Sequence, residues 1–235
     1  MFSIKVAILG CARNCAGYLS RSLRNVSAVA QMFTDYRVIL YENDSADGTQ
    51  SMLRAYCGKD PERRHLMSMR FLSAKIPGRT RRLAYIRHQL QRKLAQTAFR
   101  PDVVVVMDLD DAGSGPTPRL LEFIREAARF ERWDAAFPRL SYDLAAWAPW
   151  PPGTSRTAAR EAASRRGSFG TRVCSAFNGI GVYKAGWYFR GSYLVPGQPA
   201  SGRIARPGPC EHITFHASLG PSARFAILNG HSWPG

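Results

Sequence analysis

The chain has 235 residues, enough for one large α/β domain or two small ones, and 45% hydrophobic content can build a sizeable core. Thirty-three Lys and Arg against 17 Asp and Glu give a net charge of +16, which implies an anionic partner: nucleic acid, an anionic membrane surface or a phosphorylated small molecule. No apolar run reaches the roughly 18 residues of a membrane span. The five cysteines (Cys11, Cys15, Cys57, Cys174, Cys210) lack paired CxxC spacing, which argues against a zinc ribbon or disulfide framework and for a reducing, cytoplasmic setting.

Residues 4–10 read as a first strand rather than a signal peptide, because a basic start and a long apolar middle are missing. The strand ends in Gly10-Cys11-Ala12-Arg13-Asn14, small enough for close approach of a ligand but without GxGxxG spacing. A helix is expected over 17–32. A second strand, 37–41, runs into the acidic turn Glu42-Asn43-Asp44-Ser45-Ala46-Asp47-Gly48-Thr49, with Thr49 as N-cap of a helix over 50–57. Residues 65–72 read as a third strand. Residues 79–94 form an amphipathic helix with Leu83, Ile86, Leu90 and Leu94 as its apolar stripe, and Arg79, Arg82 and Arg87 on other faces. The amino end of that helix follows Gly78 and carries arginines, a suitable place to meet phosphate.

The run Val103–Met107 ends in Asp108-Leu109-Asp110-Asp111. β-Branched residues fit a pleated sheet, and a strand without alternation is covered on both faces, as in a parallel sheet. The acids therefore lie at a strand's carboxyl end, where open α/β sheets bind ligands. Asp108 and Asp110 share a side, and two carboxylates so placed call for a divalent cation. A helix over 118–130 and a strand over 133–138 complete a β-α-β-α-β-α-β-α-β order, which implies right-handed crossovers and a mainly parallel sheet.

From Ser141 the composition changes. Residues 142–150 are aromatic and loop-like, and 153–172 are basic and rich in Ser, Gly and Ala, which predicts a surface loop or short helix that orders on ligand binding. Residues 173–183 return to strand composition broken by two glycines. Cys210-Glu211-His212-Ile213-Thr214-Phe215-His216 opens a short helix, and Ala226-Ile227-Leu228 is a last strand before His231. No repeat or low-complexity linker divides the chain, so a single domain over 1–235 is expected. The basic residues gather at 63–100 and 156–172 with few aromatics between them. That pattern suits phosphate or lipid headgroups better than stacked bases, and no nucleic-acid partner is expected.

Four stretches, AILGCARN (7–14), YENDSADGT (41–49), RRLAYIRHQL (81–90) and VVVMDLDD (104–111), resemble those of nucleotide-sugar-dependent glycosyltransferases of the GT-A fold. The likeness is to the bacterial family 2-like enzymes and the fungal capsule mannosyltransferases. Asp108-Leu109-Asp110 matches their Asp-x-Asp motif. The resemblance spans 4–140 and returns at 210–216, where the family's Glu-Asp pair is replaced by Glu211-His212.

The resemblance implies an α/β GT-A fold: a single Rossmann-like domain with a mainly parallel central sheet flanked by helices. Residues 1–140 would bind donor and 141–235 acceptor. It implies a hexosyltransferase moving a sugar from a nucleotide-diphosphate donor to a glycan or lipid-linked acceptor in polysaccharide biosynthesis, with Mn²⁺ or Mg²⁺. Ala12, Arg13, Glu42, Asn43 and Asp44 would hold the nucleoside, and Arg82 and Arg87 the phosphates or sugar. Asp108 and Asp110 would hold metal and ribose, and SAFNGIG (175–181) would face the acceptor. Glu211 would be the base or bind acceptor hydroxyls, His212 is a further base or ligand, and His216 or His231 would complete the metal shell.

Two other classes compete. A haloacid-dehalogenase-like phosphatase would use Asp108 as nucleophile and Asp110 as acid, but Ala112 stands where that motif wants Thr or Val. A basic nucleic-acid- or membrane-binding protein would explain the charge and not the acids. With the enzyme reading, the charge predicts a cytoplasmic protein attached peripherally to the membrane's inner face and released by salt.

Overall fold

The structure is a computed structural model. It describes residues 2–129, 132–139, 146–149, 152–153, 155, 170–194 and 210–232. The strands are β1 (Phe2–Ala12), β2 (Phe33–Asn43), β3 (Arg64–Met69), β4 (Val103–Asp108), β5 (Ala135–Arg139), β6 (Ala148–Pro149), β7 (Thr171–Ser175), β8 (Ile180–Lys184) and β9 (Phe225–Ser232). The helices are α1 (Ala16–Ala30), α2 (Thr49–Gly58), α3 (Leu72–Lys75), α4 (Arg79–Ala95), α5 (Thr117–Ala127), α6 (Ala185–Tyr188) and α7 (Glu211–Ser218). The loop expected at 153–172 lies almost wholly outside the described residues, as does the side chain of His231.

Among the described residues one sheet runs in the order β3-β2-β1-β4-β8-β5-β9-β7-β6. β3, β2, β1 and β4 are parallel neighbours. The chain winds outward from β1 through β2 to β3, then returns to place β4 on the other side of β1. That reversal opens a crevice at the carboxyl ends of β1 and β4. The register pairs Cys11 with both Tyr41 and Asp108, so the three strand ends are level.

Beyond β4 the sheet is mixed. β8 pairs antiparallel with β4 and with β5, so β5 does not lie directly beside β4. β5 and β9 are parallel. The insertion of β8 follows from the turn before it. The Asp108 N–H donates to the Gly179 carbonyl at 2.8 Å, which brings Ala176–Gly179 to the acid-tipped end of β4.

Both faces of the parallel half are covered, as the unbroken apolar run of β4 requires. Val104 and Val106 join Leu9, Ile39, Ile86 and Leu90 on one face. Val103 and Val105 join Ile8, Leu40, Leu23, Val26 and Phe123 on the other.

Two sequence expectations change. Thr49 does not cap α2: Gly48 holds the cap position at φ 85°, and the Thr49 N–H donates to Asp47 Oδ1 at 3.1 Å. Asp47 Oδ2 also accepts the Ala16 N–H at 2.9 Å, tying the start of α1 to this loop. Arg87 does not lie off the apolar side of α4: it is buried, together with Ala84, Leu90, Gln91 and Leu94.

Candidate active site

A cavity of about 280 Å³ opens at the crevice between β1 and β4. Cys11, Ala12, Arg13 and Cys15 line it from the end of β1, Asn43 from β2, and Asp108 and Asp110 from β4. Arg79, Thr80, Arg82, Leu83, Ile86 and Arg87 line it from α4, and Phe177, Cys210, Glu211 and His212 from the second half. Stretches from before and after residue 140 thus meet at one sheet edge.

Leu109 is fully buried, so the residues on either side of it, Asp108 and Asp110, both reach the cavity. The turn after them is tight. A Cβ at Gly113 would lie 1.9 Å from the Asp108 carbonyl oxygen, so only glycine allows this approach. Asn25 of α1 pins the turn by donating to the Gly113 and Gly115 carbonyls, both at 2.9 Å. Asp111 turns away to accept the Ala112 N–H at 2.9 Å.

The two cavity aspartates differ. Asp108 Oδ1 accepts from Arg87 Nη2 at 2.8 Å. Burial pushes its pKa up, against the pull of Arg87. Asp110 accepts the Ala112 N–H at 3.2 Å and forms no ion pair among the described residues. Burial, followed by repulsion from Asp108 and Asp111, pushes its pKa up to about 6. A carboxylate so placed is short of positive charge.

Arg87 is the hub. Its side chain is 2% exposed, and its Nε donates to Glu211 Oε1 at 3.0 Å while Nη2 holds Asp108. It also lies over the Phe177 ring at 5.0 Å. Nη1 has no hydrogen-bond partner among the described residues. His212 stacks on Phe177 at 3.6 Å, and among the described residues neither ring nitrogen is hydrogen-bonded; Nε2 is 3.6 Å from Glu211 Oε1. Burial and the Arg87 charge push the His212 pKa far down, so the imidazole is neutral.

The remaining sequence-selected residues divide. Ala12, Arg13, Asn43 and Arg82 line the cavity. Arg82 Nη1 donates to the carbonyls of Ile76 (2.8 Å) and Pro77 (3.1 Å). Glu42 and Asp44 do not line it. Glu42 accepts from the Ser45 N–H, Gln50 and Ser68. Asp44 accepts the Leu72 and Ser73 N–H groups at 3.2 and 2.7 Å, capping α3. Burial raises the Asp44 pKa, but hydrogen bonds from Ser73 and Asn43 win and hold it at about 2. His216 is also absent from the cavity: Nδ1 is 2.8 Å from Ser175 Oγ and Nε2 is 2.9 Å from Tyr183 Oη. Sequence reasoning missed Cys11, Cys15, Thr80 and the specific part of Phe177. None has a periodic or charge signal of its own.

No protein-family model and no curated protein matches the chain. Solved structures do. The mannosyltransferase PcManGT from Pyrobaculum calidifontis, in complex with GDP-Man and Mn²⁺, matches with a TM-score of 0.52 at 14% identity, over 96% of this chain and 55% of that one. S. aureus TarS 1-349 in complex with UDP matches with a TM-score of 0.54 at 13% identity, over 98% of this chain and 59% of that one. This chain therefore spans rather more than half the length of those two solved chains, and 36% of the longer TarS chain. Identity this low speaks for the fold, and the fold is GT-A.

Proposed function

We propose that this GT-A chain binds a nucleotide-diphosphate sugar in the β1/β4 crevice and moves the sugar to a hydroxyl of a glycan or lipid-linked acceptor. One observation carries the reading: Asp110, a carboxylate with no ion pair among the described residues, shares its cavity with Arg13, Arg79 and Arg82. Carboxylate beside arginines suits a ligand that brings both phosphate and a divalent ion.

The donor set fits Mn²⁺ or Mg²⁺ bound by Asp110, with Asp108 beside it. Among the described residues no group of three or more His, Cys, Asp or Glu side chains could hold a metal alone. A cation would therefore share the donor's phosphates, which is the usual habit of Mg²⁺. Bound there, it would act as a Lewis acid for the departing diphosphate.

The chain's own residues supply the rest. Ala12 leaves room for the nucleoside, with Arg13 and Asn43 at its edge. Arg79 and Arg82 meet the phosphates, and the carbonyls of Ile76 and Pro77 fix the aim of Arg82. Glu42 and Asp44 act indirectly, by holding the loop that carries Asn43. Arg87 orients Asp108 and Glu211 together.

For the base we favour His212. Glu211 is committed to Arg87, whereas His212 is neutral, lines the cavity and has no hydrogen-bond partner for either buried ring nitrogen among the described residues. Its depressed pKa makes it a weak base until a proton arrives, and Glu211 at 3.6 Å then stabilises the imidazolium. The acceptor oxygen loses its proton to His212 and attacks the anomeric carbon, while the bond to the diphosphate oxygen breaks and the diphosphate leaves with the electron pair. A phosphatase reading fits worse, because the carboxylate that would be its nucleophile, Asp108, is tied to Arg87.

Among the described residues no helix is long and apolar enough to cross a membrane. We place the protein in the cytoplasm, peripheral at an anionic inner membrane face. A thermal-shift panel of nucleotide sugars with and without Mn²⁺ tests the function. A ligand at 100 times its Kd stabilises by about 2.7 kcal/mol. A Mn²⁺-dependent rise with one nucleotide class is expected, and no rise with any nucleotide sugar would contradict the reading.

A further inference from the structure

Beside the cavity stands a small lobe with an exposed aromatic tip. Phe71 is 72% exposed, while its neighbour Leu72 is buried at 1%. Phe71 also has left-handed backbone, φ 60°. Among the described residues two other non-glycine residues share positive φ, Asn14 and Asp44. Both are rewarded by side-chain hydrogen bonds: Asn14 Oδ1 accepts the Ala46 N–H at 2.9 Å, and Asp44 caps α3. Phe71 has no polar side chain to do this, and the conformation is unfavourable for a bulky residue. Folding therefore gains nothing from a phenylalanine here.

The lobe is braced from beneath. Asp44 holds the first N–H groups of α3, Lys75 N–H donates to the Phe71 carbonyl at 3.1 Å, and Arg82 holds the carbonyls of Ile76 and Pro77. Arg70, Lys75 and Arg79, which flank Phe71 in the chain, are exposed, together with Ala74 and Pro77. No Asp or Glu occurs from 63 to 101, a stretch with eleven Lys and Arg.

We propose that residues 70–79 form a membrane-docking tip: Phe71 enters the headgroup–acyl boundary of an anionic bilayer, and Arg70, Lys75 and Arg79 meet the headgroup phosphates. An aromatic ring at the water–lipid boundary with cations at its base is the arrangement such a surface favours. An acid-free flank supplies the charge complement. Arg79 also lines the cavity, so docking turns the mouth of the site toward the lipid. That orientation rests on the proposed function; the docking itself does not.

Co-sedimentation with vesicles of phosphatidylcholine containing 30% phosphatidylglycerol, about equal to a moderately anionic leaflet, tests the docking without any nucleotide sugar. The wild type is expected to bind these vesicles, to leave them in high salt and to ignore pure phosphatidylcholine. Phe71→Gly should bind roughly tenfold more weakly. Its melting temperature should hold or rise, because glycine is relaxed at this φ. Lys75→Gln should bind about fivefold more weakly. Phe71→Trp should bind, and lipids brominated in their acyl chains should quench it beyond the wild-type signal.

Unchanged vesicle binding by a folded Phe71→Gly protein would overturn the proposal. So would preference for single-stranded RNA or an acidic protein over the vesicles. Mn²⁺-dependent nucleotide binding by Phe71→Gly is expected to match the wild type, so failure of docking and failure of the proposed function are read separately.

Discussion

His212 and His216 lie one turn apart on α7 and face two different regions. His216 packs against Phe137 and Phe225 with both ring nitrogens hydrogen-bonded, to Ser175 and Tyr183. His212 is equally buried, yet among the described residues neither ring nitrogen is hydrogen-bonded; the ring stacks on Phe177, meets Tyr193 edge-on and comes within 3.6 Å of a Glu211 oxygen. The same contrast holds for carboxylates. Asp134, at the far side of the sheet, is paired with Lys184 and Arg224, and their hydrogen bonds outweigh burial and hold its pKa down. Asp110, in the crevice, has no such partner and its pKa rises. Buried polar groups are normally satisfied. Among the described residues, Arg87 Nη1 and the two His212 ring nitrogens are buried without a hydrogen-bond partner and belong to side chains that line the cavity, although Arg64 Nε and His88 Nδ1 are left so outside it.

The contrast can be broken most severely at Arg87, which belongs to both regions. Arg87→Met should leave Glu211 and Asp108 without their cation and cost about 3–5 kcal/mol in denaturant unfolding. A loss below about 1 kcal/mol would mean that the buried pairs are not made.

His212→Ala should separate chemistry from stability. Transfer should fall by about 100-fold or more, with nucleotide affinity kept. Equal losses in folding and in transfer would make His212 a core residue like its neighbour.

His216→Phe should do the reverse. Removing the ring partner of the Tyr183 hydroxyl, and one of the two partners of Ser175 Oγ, which keeps its bond to the Ala146 carbonyl, should cost about 1–3 kcal/mol, with nucleotide titrations unchanged. His216 also sets an acid limb: burial pushes its pKa from 6.5 down to about 3. The unfolded chain binds the proton first, so this stabilisation is complete above pH 6.5 and is lost as pH falls toward 3. Urea unfolding across that window should be less steep in the variant.

The smallest effect is expected at Asp44. Asp44→Ala should cost about 1 kcal/mol through lost bonds to α3. Its pKa lies below the ordinary 3.8, at about 2, so the gain is present above pH 3.8 and disappears as pH falls through 2. A variant insensitive to that acid range would show that the cap is not formed.

Local patterning made the parallel half legible. Four consecutive valines and the step pattern of 79–94 identify β4 and α4 to within a residue or two. The acids at strand ends were legible too, because a carboxylate cluster after a buried strand has few other uses. The antiparallel insertion of β8 was not, since its place depends on a Gly179–Asp108 hydrogen bond that spans 71 residues. Nor was Arg87, whose partner Glu211 is 124 residues away. Its position held a clue: it lies four residues after Leu83 and three before Leu90, on the inward side. A charge there reads as turned away from the core, because its counter-charges come from other elements. The two histidines of CEHITFH could not be told apart, because one turn of helix decides which faces Ser175 and Tyr183.

Asp110 is proposed to bind a cation brought together with a nucleoside diphosphate. Calorimetric titration of UDP and GDP into wild type and Asp110→Ala, each with and without Mn²⁺, tests this role. One nucleotide is expected to bind the wild type at least about tenfold more tightly with Mn²⁺, a gain of about 1.4 kcal/mol. Asp110→Ala should lose that gain and remain folded. Binding that ignores Mn²⁺, or an undiminished Mn²⁺ effect in Asp110→Ala, would contradict it.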